Sequence, residues 1–272
     1  MNVGFYQFSP AYGDPEGNLR RLAAALRSAA VDLLVCPELC TTGYLFLDRD
    51  ELNAVAERIP DGPTCKALGA LCREIGRSIV FGIAERAGDG LFNSAVLLTP
   101  DGGAVCYRKA HLFDTELNVF DRPGSSPRMG IVKGAKVGIM VCFDWRFPEV
   151  ARALALEGAD VIAHPANLVH PYCQDAMVTR SLENRVFSVT ANRTGVEETG
   201  GLRTAFTGRS QIVSPMGARL AQADPDEECV RTAILNPAEA RDKGVTARND
   251  LFRDRRPDLY GPALGGDRRS KG

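Results

Sequence analysis

One stretch of this chain restricts its fold more than any other. The apolar run Val137–Val141 is typical of a buried strand, and it ends on Cys142. A short polar turn follows, and Pro148 marks the start of a helix, where proline is well tolerated. This pattern places one thiol at the carboxyl end of a strand, which is where open α/β sheets bind their ligands.

Two other strand-like runs end on chemically useful side chains. The run 32–37 leads to Glu38, and the run 104–108 leads to Lys109. A carboxylate, an ammonium group and a thiol at strand ends together favour a hydrolase, because a cysteine nucleophile needs a group that accepts its proton. Each has a simpler interpretation: Glu38 as an exposed loop acid, Lys109 as a solvated cation and Cys142 as a core thiol.

Strand and helix patterns alternate along the chain and predict a mixed α/β fold. We predict one domain over residues 1–262 and a disordered tail over 263–272, where the sequence is polar and basic. The charged segment 110–130 and the glycine-rich segment 194–208 are both predicted to be loops. The last strand-like runs, beyond residue 210, are predicted to pair antiparallel.

The composition excludes several classes of function. The net charge is −1, so no basic field attracts nucleic acid or an anionic membrane surface. No apolar run approaches the roughly 18 residues of a membrane span. The amino terminus reads as a strand and not as a signal peptide, so we expect a cytoplasmic protein. Eight cysteines without a Cys-x-x-Cys pair, and three scattered histidines, predict core thiols and no metal site.

The three strand-end residues suggest a division of chemical roles. Glu38 is the candidate base, because a carboxylate in a dry pocket has a raised pKa and accepts a proton near neutral pH. Lys109 and the backbone N–H of Phe143 are candidates to stabilise an oxyanion. Glu116, seven residues after Lys109, either folds back over the site or is a solvated loop acid.

Several blocks resemble the nitrilase superfamily of carbon–nitrogen hydrolases, in the correct order along the chain. The three main blocks are Pro37–Tyr44, Tyr107–Phe113 and Val137–Glu149. Further agreement lies in Ala159–Asn167 and Arg180–Arg185. The resemblance extends from residue 2 to about residue 260 and implies a four-layer α-β-β-α sandwich.

The resemblance also implies site residues. The Glu-Lys-Cys triad of the superfamily falls on Glu38, Lys109 and Cys142, and the second glutamate of many members falls on Glu116. No metal or organic cofactor is implied. Members usually form dimers through the helices that flank the cysteine, here predicted over 148–158 and 174–185, so we expect a homodimer or a higher homo-oligomer.

The motifs are most similar to those of compact bacterial and archaeal aliphatic amidases. They imply a thiol amidase that hydrolyses a small aliphatic amide or an ω-amide to a carboxylate and ammonia. Phe143, Trp145, Tyr44 and Asn167 are the candidate substrate-binding residues. Arg146 is expected to form a structural ion pair, although basic residues at this place hold a substrate carboxylate in N-carbamoyl amino acid hydrolases.

Other functions remain open at this stage. The same triad is compatible with N-carbamoyl-amine hydrolysis or with nitrile hydrolysis. A cysteine hydrolase of the isochorismatase-like type also uses an acid, a lysine and a cysteine, but the glutamate after Pro37 and the hairpin signal at Asp101-Gly102 argue against it. A non-catalytic binding or scaffold protein would be expected to have a broken triad.

Overall fold

The computed structural model describes residues 1–124 and 128–260. The chain divides into two compact units, Met1–Arg241 and Asp242–Gly272. In the second unit, an isolated bridge joins Gly244 and Asp250. The prediction of one domain over residues 1–262 stays a prediction, and the predicted tail, 263–272, lies outside the described residues. Within the described part of the chain, no helix is long and apolar enough to cross a membrane.

The first unit contains two six-stranded sheets. The strands of the first sheet run in the spatial order β14-β1-β2-β3-β4-β5. In chain order they are β1 (Asn2–Gln7), β2 (Leu33–Val35), β3 (Ser78–Ala87), β4 (Gly90–Leu98), β5 (Ala104–Arg108) and β14 (Cys229–Ile234). β2 pairs in parallel with β1 and β3, and the other pairs are antiparallel. The predicted hairpin at Asp101-Gly102 joins β4 to β5.

The second sheet repeats this plan. Its spatial order is β13-β12-β9-β8-β7-β6. In chain order its strands are β6 (Arg128–Val132), β7 (Ala135–Ile139), β8 (Val161–Ala166), β9 (Phe187–Asn192), β12 (Gln211–Val213) and β13 (Arg219–Gln222). The central strands β7, β8 and β9 are parallel, and antiparallel strands flank them. Each sheet therefore has a parallel centre whose strands end on one edge.

The described residues of the first unit form seven α-helices. They are α1 (Pro15–Ser28), α2 (Arg49–Val55), α3 (Pro63–Ile75), α4 (Glu116–Val119), α5 (Pro148–Leu156), α6 (Cys173–Asn184) and α7 (Pro237–Arg241). α1 packs on α3, and α3 packs on the first sheet; α5 packs on α6, and α6 packs on the second sheet. The inner faces meet where β1 contacts β9 and β3 contacts β8. The predicted four-layer sandwich is confirmed.

Two segments predicted to be loops contain regular structure. The segment 110–130 includes the short helix α4 and the start of β6. The segment 194–208 forms an antiparallel hairpin of β10 (Val196–Thr199) and β11 (Leu202–Ala205). Gly200 and Gly201, both at positive φ, make its two-residue turn. The glycines that suggested a loop are the residues that a tight hairpin turn requires.

Candidate active site

Glu38, Lys109 and Cys142 each follow a strand, as predicted. Glu38 lies just beyond β2, Lys109 directly follows β5, and Cys142 opens a 3₁₀ turn, Cys142–Arg146, just beyond β7. The backbone around Glu38 packs closely on β3, because a Cβ built on Gly82 would lie 2.4 Å from the Cα of Glu38. Glycine at this position therefore lets the Glu38 segment lie flat against the sheet.

Lys109 lies between two carboxylates in the interior. Its Nζ donates hydrogen bonds to Oε1 of Glu38 at 2.7 Å and to Oε1 of Glu116 at 2.6 Å. All three side chains are almost fully buried. Asn93 of β4 donates a further bond, from Nδ2 to Oε1 of Glu38 at 2.7 Å. The other oxygen of Glu38, Oε2, is buried and has no hydrogen-bond partner among the described residues, so it is free to accept a proton.

The three buried groups carry two potential negative charges and one positive charge. Burial disfavours the charge on Lys109, but Glu116 and Glu38 outweigh it, and the pKa of Lys109 lies above its ordinary value. Burial, with a contribution from the Glu38 charge, raises the pKa of Glu116 to about 7, although Lys109 and Tyr44 act in the opposite direction. Glu116 therefore titrates near neutral pH, and Lys109 remains an ammonium group.

The same charged groups act electrostatically on the thiol of Cys142. Burial raises the pKa of Cys142 well above its ordinary value, and the charge of Glu38 adds to the effect. Lys109 and a hydrogen bond from the backbone of Asn167 act against this rise. The resting sulfur is therefore a protonated thiol, which needs a base to become a nucleophile.

The turn that presents Cys142 has a strained backbone. Cys142 has φ of 41°, in the left-handed region that residues with a Cβ seldom adopt. Asp144, buried in the same turn, accepts hydrogen bonds from the N–H of Val141 at 2.9 Å and from the hydroxyl of Tyr107 at 2.8 Å. Its other oxygen contacts Nδ1 of His111 at 2.8 Å. Asp144 thus joins the cysteine turn to the segment that carries Lys109.

His164 supports the cysteine from the neighbouring strand β8. Its Nε2 lies 3.0 Å from the carbonyl oxygen of Cys142, and its Nδ1 lies 3.1 Å from Oγ1 of Thr190. Burial lowers the pKa of His164, so the ring is neutral. A neutral ring that donates from Nε2 to the carbonyl accepts the threonine hydroxyl at Nδ1.

A cavity of about 290 Å³ opens beside Cys142. Its wall combines aromatic, apolar and polar side chains: Phe113, Phe143, Trp145, Arg146, Asn167, Leu168, Val169, His170 and Tyr172. A second cavity of about 460 Å³ shares Phe113, Val169 and His170 with the first, and Tyr44 and the strand β11 line it. The four predicted substrate-binding residues thus lie in the walls of two adjoining cavities.

Asn167 and Arg146 are two of the polar residues in the wall of the Cys142 cavity. Both side-chain polar atoms of Asn167 are buried, and neither has a hydrogen-bond partner in the described parts of the chain. The expectation of a structural ion pair for Arg146 is wrong: residues 1–124 and 128–260 contain no such pair, and its guanidinium lies over the Trp145 ring, 5.3 Å from the centroid. Arg146 is exposed because the turn directs it away from the core.

Sequence reasoning missed Asn93 and the positioning role of Asp144. Asn93 is a buried polar residue inside the strand β4, next to the buried Ser94. Consecutive polar residues in a strand that is otherwise apolar are a usable signal, because buried polar groups need partners. No group of three or more potential metal ligands occurs within the described residues.

Comparisons with known proteins identify the family of this chain. The family model for carbon–nitrogen hydrolases matches residues 2–243. The chain is 43% identical over 263 residues to a protein named nitrilase from Pyrococcus abyssi, covering 96% of this chain and 99% of the relative. It is 35% identical over 266 residues to an (R)-stereoselective amidase from Pseudomonas sp., and the match covers 96% of this chain and 93% of that relative.

The fold has close structural counterparts. The crystal structure of an amidase from Nesterenkonia sp. matches with a TM-score of 0.80 at 24% identity, and the match covers 97% of this chain and 96% of that one. The chain belongs to the carbon–nitrogen hydrolase family. It is a hydrolase of the nitrilase superfamily that acts on non-peptide carbon–nitrogen bonds.

Proposed function

We propose that this protein is a thiol amidase that converts a small aliphatic amide or an ω-amide into a carboxylate and ammonia through a cysteine acyl-enzyme. The observation that carries the proposal is the Glu38–Lys109–Glu116 cluster, whose charges act on the thiol of Cys142. A scaffold protein has no need for a thiol on a strained backbone and a buried carboxylate with an oxygen that has no hydrogen-bond partner among the described residues.

The first half-reaction follows from these positions. Oε2 of Glu38 takes the thiol proton while the sulfur of Cys142 attacks the amide carbon, so a C–S bond forms and the carbonyl oxygen becomes an oxyanion. The ammonium group of Lys109 stabilises that oxyanion electrostatically. When the tetrahedral intermediate collapses, the C–N bond breaks, Glu38 returns its proton to the leaving nitrogen, and ammonia departs.

The second half-reaction uses the same groups in reverse. Glu38 takes a proton from a water molecule, whose oxygen attacks the thioester carbon. The C–S bond then breaks, the carboxylic acid leaves, and the sulfur recovers its proton from Glu38. Glu116 accepts hydrogen bonds from Lys109 and Tyr44, so it holds the lysine in place while Glu38 changes its protonation state.

The wall of the Cys142 cavity supports a substrate that carries a carboxylate. Arg146 lines the cavity together with Cys142 and has no ion-pair partner in residues 1–124 and 128–260. The same feature supports N-carbamoyl amino acids as a second candidate class, because these also combine a carboxylate with a hydrolysable carbon–nitrogen bond. The relative named nitrilase makes nitriles a third class to test.

The test is ammonia release from a panel of aliphatic amides, ω-amides, N-carbamoyl amino acids and nitriles. We expect the wild-type protein to release ammonia from the amides and the variant Cys142→Ala to release none. Cys229→Ala, which removes a partly exposed thiol of β14, is the matched control and should retain full activity. A Cys142→Ala protein as active as the wild type would end the proposal.

The acyl-enzyme has its own test. Hydroxylamine intercepts a thioester, so adding it to a reaction with an amide should give the hydroxamate while ammonia is still released. Iodoacetamide is itself a small amide and can present its carbonyl to the site, so it should label Cys142 first in the native protein, and substrate should slow the labelling. Equal labelling of all the thiols, only after unfolding, would favour a scaffold protein.

A further inference from the structure

A buried ion pair lies at the base of the β10–β11 hairpin, and neither member lines the Cys142 cavity. Nη1 of Arg193 donates to Oε2 of Glu197 at 2.5 Å, and the side chains are 1% and 3% exposed. Burying two charges costs several kcal/mol for each ion unless further hydrogen bonds satisfy them. The other contacts of this pair therefore indicate what it holds in place.

The second oxygen of Glu197 holds the backbone of the segment that follows Glu38. Oε1 accepts the N–H of Tyr44 at 2.8 Å and the N–H of Leu45 at 2.5 Å. The preceding residue, Gly43, has φ of 89°, and a Cβ there would lie 3.1 Å from Oε2 of Glu197. Glycine at this position suits both the positive φ and the close packing of Tyr12 and Glu197.

The ring of Tyr44 is held from the same side. The guanidinium of Arg193 lies over the ring of Phe206, 4.1 Å from its centroid. Phe206 meets the ring of Tyr44 edge to face at 5.9 Å between centroids. The ion pair thus fixes Tyr44 twice, through its backbone and through its ring.

Tyr44 transmits this constraint to the active site. Its hydroxyl donates to Oε1 of Glu116 at 2.7 Å, and the same oxygen accepts the hydrogen bond from Lys109. The charged and titratable groups around Glu116 are Lys109, Glu38, Tyr44 and the thiol of Cys142. Tyr44 is the one that belongs to the segment held by Glu197.

We infer that Glu197, balanced by Arg193, is a positioning residue for the Glu116 carboxylate and acts through Tyr44. The inference rests on the proposed function, because it assigns to Glu116 the task of holding Lys109 during amide hydrolysis. It also makes the β10–β11 hairpin part of the catalytic machinery, since the strand β11 lines the second cavity.

The primary test is the variant Glu197→Gln in the full-length protein. Glutamine offers one acceptor oxygen in place of two, so its amide nitrogen must face either Arg193 or the N–H groups of Tyr44 and Leu45. In either arrangement two donors meet, and the hold on the Tyr44 backbone is lost. A displacement of about 1 Å can reduce the rate about 100-fold, so we expect kcat to fall by roughly 10- to 100-fold with little change in KM. Glu74→Gln, which alters an exposed carboxylate of α3 that is ion-paired with Arg27, should leave kcat unchanged.

A second readout separates positioning from general damage. The Tyr44 hydrogen bond lowers the pKa of Glu116, so its loss should move the acid limb of the kcat/KM profile to higher pH. Tyr44→Phe and Glu197→Gln should each produce this shift. In the double variant, kcat should fall no further than in the worse single variant, because both changes break one connection.

One further variant makes the result decisive. Arg193→Gln combined with Glu197→Gln removes both charges, so it leaves no unpaired buried charge. It replaces Glu197→Gln in the same kinetic tests if that single variant does not fold. Unchanged kcat and an unchanged acid limb in a folded Glu197 variant would overturn the inference. So would losses of kcat that multiply when Tyr44→Phe and Glu197→Gln are combined. Failure of the proposed function looks different, because Cys142→Ala would then remain active.

Discussion

Replacing Glu116 with glutamine should remove activity and at the same time make the free energy of unfolding less dependent on pH. Burial raises the pKa of Glu116 to about 7, against an ordinary value of 4.5. Between these two pH values the folded protein retains a proton that the unfolded chain has released. The folded state is therefore destabilised as the pH rises through this range.

The size of the effect follows from the shift. One pKa unit corresponds to about 1.4 kcal/mol, so the full shift of Glu116 corresponds to about 3 kcal/mol. Integrated between pH 5 and pH 8, the wild-type protein should lose roughly 2–3 kcal/mol of stability through this group. Glutamine does not titrate, so the stability of Glu116→Gln relative to the wild type should rise by that amount over the same range.

The assay is urea unfolding of both proteins at pH 5 and pH 8, at one protomer concentration, followed by the fluorescence of Trp145, the only tryptophan. Glu149→Gln, which removes an exposed carboxyl group of α5, is the control and should show no such change. A relative stability of Glu116→Gln that stays constant from pH 5 to pH 8, or falls, would refute the reasoning. Wild-type kcat/KM should also decline below about pH 7, as Glu116 takes up its proton.

Three further predictions concern other parts of the molecule. Arg146→Gln should raise KM for ω-amides that carry a carboxylate by about tenfold and leave KM for neutral amides unchanged, in steady-state assays; equal effects on both would contradict it. Asp144→Asn should lower the free energy of unfolding by about 1–3 kcal/mol in urea titrations, because a donor then faces the N–H of Val141; unaltered stability would contradict it. Leu182→Glu, in the exposed face of α6, should convert the predicted homodimer to monomers in light scattering, whereas Ile131→Glu on β6 should not.

Strand ends were the part of the site that the sequence revealed best. The residue that follows an apolar strand lies where the chain leaves the sheet. Glu38, Lys109 and Cys142 could therefore be located from local pattern alone. That they lie together depends on two parallel sheet centres packed face to face. This arrangement is a long-range property, and the resemblance to the nitrilase superfamily supplied it.

The residues that sequence reasoning missed act across long separations in the chain. Asn93 and its hydrogen-bond partner Glu38 are 55 positions apart in the sequence, and Glu197 and Tyr44 are 153 positions apart. No periodicity records such a contact, because periodicity describes one element at a time. The β10–β11 hairpin was missed for a related reason: a paired glycine turn and a flexible loop have the same composition.

The protonation of the resting thiol gives the site its chemical logic. A thiolate would react with any electrophile that entered, but the pKa of Cys142 lies well above its ordinary value, so the sulfur keeps its proton. Attack then requires transfer of that proton to Glu38, whose free oxygen is buried. Lys109 donates one hydrogen bond to Glu38 and another to Glu116. The proton acceptor, Glu38, and the group that stabilises the oxyanion, Lys109, are therefore held in one cluster. Nucleophile activation and oxyanion stabilisation are thereby coupled, and a substrate must present its carbonyl to both groups before the sulfur becomes reactive.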